Sequence, residues 1–230
     1  MLFVKFNYDF PGIEKMMQYC KQTYDFLVKQ LGEPTTEKNT ILITYNYEND
    51  YPEVIEGDDH FLIKLRIESD DIHMTYLQIA HELCHIFIDD KVRTNNFIEI
   101  VCQKTALDVV ECLGEAPNST NYVQRFKADA LDLLKLKYDN LDLKWVKEQI
   151  IDLEQKDMPY EDRELKNLIA FKLKDVLDEP NKFGLITWLN NYVNKYHSDN
   201  KIPNEINFNN FFEIINDYDQ RLARLLDDLK

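Results

Sequence analysis

Glycine is scarce in this chain, at 5 residues in 230. That leaves no Gly/Ser-rich linker between domains. Long apolar runs are absent as well. No stretch approaches the roughly 20 apolar residues of a membrane-spanning helix. Residues 1–6 lack the charged start and apolar middle of a signal peptide. Positive charge is in deficit: 27 Lys+Arg stand against 42 Asp+Glu, a net charge of −15. A surface of that sign repels nucleic-acid phosphates and anionic lipid, so neither nucleic acid nor a membrane is expected as a partner. A basic peptide or protein is the compatible kind. The four cysteines, Cys20, Cys84, Cys102 and Cys112, form no C-x-x-C pair and read as reduced, mostly buried thiols. The expected location is the cytoplasm, with export by a signal-independent route left open. Oligomeric state is not legible.

Hydrophobic residues make up 44% of the chain, enough for a sizeable core. The first third alternates like strands at Leu2-Val4-Phe6, Ile41-Ile43-Tyr45 and, most clearly, Phe61-Ile63-Leu65-Ile67. Between the first two lies an amphipathic stretch, Ile13 to Leu31, with Gly32 as its C-cap. Past residue 69 the pattern turns helical, with Ser69-Asp70-Asp71 as N-cap candidates for a helix ending near Phe87. A second helix opens at Asn95-Asn96 and ends at Gly114, and the rest of the chain reads as further helices. The expected fold class is α+β: a small antiparallel or mixed sheet with an active-site helix, then a mostly α-helical C-terminal lobe. The composition shift divides the chain into a core over 1–115 and a helical subdomain over 116–230.

One stretch carries chemistry. His81-Glu82-Leu83-Cys84-His85 is an H-E-x-x-H motif inside the first of those later helices. Two histidines four residues apart share one helix face and can reach one Zn²⁺, while Glu82 is placed to act as general base on an attacking water. A catalytic zinc takes a third protein ligand. The continuation G-x-x-H after the second histidine is missing, since Ile86-Phe87-Ile88-Asp89-Asp90-Lys91 follows. The next helix offers Glu99, an acid among apolar neighbours, with Gln103 one turn later. Two readings of Glu99 stand: a metal ligand, or the acid of an Asn96-x-x-Glu99 capping box.

H-E-L-C-H on one helix, a short loop, and N-F-x-E on the next resembles the gluzincin metallopeptidases, the thermolysin-like zinc enzymes. The resemblance covers about residues 60–113. It implies a zincin-like fold and a hydrolase that cuts peptide or protein substrates. It makes His81, His85 and Glu99 the zinc ligands and Glu82 the base. The strand Phe61–Glu68 looks like the sheet edge that pairs with the substrate backbone. Gln103 departs from the family, which commonly has an acid there to hold a ligand histidine by its second nitrogen. A neutral carbonyl raises imidazole basicity less, so weaker metal binding is expected. The family also supplies a Tyr or His for the oxyanion. His197 is the first candidate, with Tyr160 and Tyr122 behind it, and an ordinary surface histidine is the other reading of His197. The alternative for the whole chain is a weak or inactive zincin-fold protein that works by binding a partner.

Overall fold

The computed structural model describes residues 3–6, 13–34, 36, 38, 40–45, 52–66, 71–88, 96–114, 118–156, 162–176 and 185–187. Their elements run β1 (Phe3–Phe6), α1 (Ile13–Leu31), β2 (Thr40–Tyr45), β3 (Glu53–Glu56), β4 (His60–Leu65), α2 (Ile72–Phe87), α3 (Asn96–Leu113), α4 (Asn118–Leu134), α5 (Leu143–Lys156) and α6 (Arg163–Val176). The class is α+β, mostly helical, with one small mixed sheet.

The sheet order is β1-β2-β4-β3. β1 pairs parallel with β2 and β2 with β4, while β3 pairs antiparallel with β4. Two-residue alternation sets the buried face. Ile41 and Ile43 on β2 and Phe61, Ile63 and Leu65 on β4 enter the core, and Leu42, Leu62 and Lys64 between them stay partly exposed. One expectation is corrected here. β4 is not an edge strand, because it lies between β2 and β3. The edge is β3, whose Glu-Val-Ile-Glu run is too short and too charged at its ends to announce a strand by periodicity. The tight return Gly57-Asp58-Asp59-His60, closed by the Gly57 N–H donating to the His60 carbonyl at 2.9 Å, folds it against β4.

α1 ends as expected: Gly32 has φ +84°, a left-handed conformation that glycine adopts without strain. α2 starts at the last of the three candidate caps. The Asp71 side chain accepts from the backbone N–H groups of His73 and Met74 at 2.9 and 3.3 Å. Tyr76, Ile79, Ala80, Leu83, Ile86 and Phe87 then bury around the helix. α3 packs along α2 and is also the spine of the helical region, with α4, α5 and α6 against it. Lys174 on α6 meets Glu111 on α3 at 2.8 Å, and Lys104 pairs with Asp108 at 2.7 Å in full burial. Removing one partner of that buried pair would leave an uncompensated charge, at about 3–5 kcal/mol.

The main hydrophobic cluster is continuous across the expected division at 115/116. It joins Ile41 and Ile63 of the sheet to Leu83, Leu107, Val123, Ile150 and Leu173. Among the described residues no helix is long and apolar enough to cross a membrane.

Candidate metal centre

Burial along α2 and α3 isolates four side chains. From Thr75 to Ile88 every residue is buried except His81 and His85. From Asn96 to Val110 every residue is buried except Glu99 and Gln103. The spacing of four in each helix puts both pairs on single faces, and the helices pack so that these faces meet. The one break in an otherwise closed helix seam is therefore lined by metal-ligating chemistry.

The geometry converges. Glu99 Oε2 lies 3.1 Å from His81 Nε2, and Glu99 Oε1 lies 3.5 Å from His85 Nε2. The two imidazoles sit edge to face with centroids 5.2 Å apart. One donor atom from each of His81, His85 and Glu99 falls within 4.8 Å of the others. A tetrahedral ion with bonds of about 2.0–2.1 Å holds its donors about 3.3 Å apart, close to both carboxylate–imidazole separations. Two imidazoles and a carboxylate with a side open to solvent thus fit a divalent metal in chemistry and in span.

Gln103 completes the arrangement from behind. The His81 Nδ1–H donates to Gln103 Oε1 at 3.2 Å, which aims Nε2 at Glu99, to which its N–H donates. The capping reading of Glu99 does not hold. Asn96 donates its side-chain amide to the Leu153 carbonyl at 2.7 Å and its own oxygen accepts nothing, so no capping box forms. The reason is tertiary: α5 claims the side chain that the motif would need.

Without metal the site holds its charge as an internal ion pair. Burial pulls His81 down, but the hydrogen bond and charge of Glu99 outweigh it and raise the imidazole to about 9. Burial pushes Glu99 up, and it is more than offset by His81, His85 and the more distant Lys166, so the carboxyl stays below its ordinary value. His85 falls to about 4, chiefly through burial. Glu82 rises to about 7, again through burial, with Glu99 and Glu53 adding to the push and His81 opposing it. A buried acid and a buried neutral imidazole beside an ion pair are a poised arrangement of the kind found at functional sites.

Sequence reasoning did not single out Lys166 or Glu53. Lys166 is one of several helix lysines and Glu53 sits in the unrecognised β3, so neither has a local signal. Cys84 and Cys102 are buried as expected, in hydrogen-bond contact behind the site. Tyr122 donates to Met74 Sδ at 3.8 Å and stacks on His73, eight residues before His81 on α2, so it is not brought to His81 and His85. His197 and Tyr160 lie outside the described residues. Compared with known protein families and with curated proteins, the chain gives no match.

Proposed function

We propose that the protein is a zinc-dependent metallopeptidase with a zincin-like core, in which His81, His85 and Glu99 hold Zn²⁺ and Glu82 is the general base. The observation that carries this reading is the convergence of the three donor side chains within 4.8 Å, with Glu82 on the same helix turn. A bound Zn²⁺ supplies Lewis acidity to the attacking water and to the substrate carbonyl. The rest falls to the chain. Glu82 takes the proton of the attacking water and passes it to the leaving amine. Gln103 keeps His81 in the tautomer that presents Nε2.

Among the described residues β3 is the outer strand of the sheet, and its outer side suits a peptide substrate. The Gly57–His60 hydrogen bond places Ile55 and Glu53 in phase to bond with β4, which turns the backbone groups of Val54 and Glu56 outward. An extended peptide can pair there as an added strand. β3 packs against α2, which supports β3 as the strand beside the reacting groups. Four scattered cysteines with no C-x-x-C pair are compatible with a reducing compartment, the cytoplasm.

A second reading, a partner-binding protein that keeps the metal with little activity, draws on Gln103, the neutral residue behind His81. One experiment separates them. Zinc-loaded wild type and Glu82→Gln are incubated with an unbiased peptide library. Cleavage by wild type alone supports the peptidase. Stoichiometric zinc without cleavage by either supports the binding protein.

A further inference from the structure

Arg66 follows the last position of β4 that is paired among the described residues. Gln78 on α2 bonds both of its backbone groups. The Arg66 N–H donates to Gln78 Oε1 at 2.9 Å, and the Gln78 Nε2–H donates back to the Arg66 carbonyl. A side-chain amide thus mimics a neighbouring strand. Gln78 is buried, so both of its polar ends would lack partners if the clamp opened. It sits three residues before His81 and four before Glu82, one helical turn from the reacting groups.

From this geometry we infer that Gln78 is a positioning residue: it fixes the motif helix to the end of β4, and so helps set the distance between Glu82 with its proposed metal ligands and β3, the outer strand among the described residues. This inference rests on the proposed peptidase reading and names how that site holds its substrate. β3 is hydrogen-bonded to β4 and also packs on α2, so the clamp at the end of β4 adds a directional tie to a strand–helix contact that packing alone would leave free to slide. Asp71 caps the start of α2 only a short way past Arg66, and the two locks close the strand-to-helix connection from both sides. A reacting carbonyl held by one element and attacked from another tolerates little slippage: a misplacement of about 1 Å can cost roughly a hundredfold. Gln78 touches neither metal nor substrate, so its loss should spare the metal ligands and weaken ligands that span both elements.

The test compares wild type with Gln78→Met, which keeps length and helix propensity. Zinc affinity, amide exchange at Arg66, and the affinities of the zinc-loaded proteins for acetohydroxamate and for a hydroxamate-capped tetrapeptide are measured. The variant should hold zinc within about threefold of wild type and exchange faster at Arg66. It should bind the tetrapeptide hydroxamate at least about tenfold more weakly, while acetohydroxamate, which needs only the metal, is unchanged. Equal tetrapeptide affinity in the two proteins overturns the role of Gln78 and leaves the peptidase reading standing. A joint loss of zinc and of both hydroxamates in the variant also overturns it, because Gln78 would then serve the fold alone. A wild type that binds zinc but not the tetrapeptide removes the peptidase reading, and the inference with it.

Discussion

His81 Nε2 and Glu99 Oε2 stand 3.1 Å apart across the seam between α2 and α3, although 18 residues separate them in the chain. The contact does two jobs. In the metal-free protein it is an ion pair that neutralises a half-open gap in the core. In the proposed zinc site the proton would be displaced and the same two atoms would serve as metal donors.

The metal-free pair has a pH signature. His81 is raised above the free histidine value, so its contribution to stability is complete below about pH 6.5 and is lost as pH climbs through about 9. Glu99 is lowered, so its contribution is present above the ordinary carboxylate range and is lost only in acid. The His81 ring resonances should titrate near 9 in metal-free wild type. In Glu99→Gln the main opposition to burial is gone and only the lesser pull of Glu82 and Cys84 remains, so the midpoint should drop well below the wild-type value. Denaturant unfolding should show the wild-type advantage over Glu99→Gln shrinking from pH 6 to pH 10. A constant difference would mean that His81 is not charged by Glu99.

Zinc should stabilise the fold through the same atoms. At a thousandfold excess over its dissociation constant, a ligand of the native state adds about 4 kcal/mol. In a chain of this size that raises the melting temperature by about 10 °C. Thermal unfolding with zinc and with chelator checks this. His85→Ala and Glu99→Ala should each lose most of the gain, since a third of the protein ligands is gone. A surface variant such as Glu148→Ala should keep it, because Glu148 is exposed on α5.

Gln103→Glu should tighten zinc binding by about tenfold, and competition against a chromophoric chelator would read the change. The carboxylate would hold the His81 Nδ1–H with full charge and raise the basicity of Nε2. An unchanged affinity would mean that Gln103 orients the ring without tuning it.

Glu82→Gln should leave zinc affinity within a few-fold of wild type and cut kcat by about 10²–10⁴. KM should hardly move, because Glu82 is assigned to proton transfer and not to substrate binding. Cleavage by wild type should rise with pH as Glu82 loses its proton. Burial raises that acid to about 7 in the metal-free protein, and a cation at the neighbouring donors pulls the limb lower.

Much of this was legible in the sequence, for physical reasons. α2 and α3 are long apolar helices, α2 is capped by Asp71 in the ordinary way, and α3 stops at Gly114 as local rules suggest. The motif spacing makes His81 and His85 neighbours in any helix, and Gln103 follows Glu99 by one turn for the same reason. The choice between the two roles of Glu99 was not local. It depended on whether Asn96 turned to its own helix or to α5, and only packing decides that. The sheet order was hidden too. β3 has four residues, and its pairing with β4 comes from a turn at Gly57 with no run of alternation to signal it. Gln78 was invisible for the same kind of reason: its partner is the backbone of Arg66, and a backbone has no sequence signature.

The most direct test is a crystal structure of the zinc-soaked protein with anomalous scattering recorded at the zinc edge. One strong peak should lie about 2.0–2.2 Å from His81 Nε2, His85 Nε2 and a Glu99 carboxylate oxygen, with a further coordination position open to solvent. A fully soaked crystal with no peak between these side chains, or with Glu99 still bonded to His81 while zinc sits elsewhere, would contradict the account.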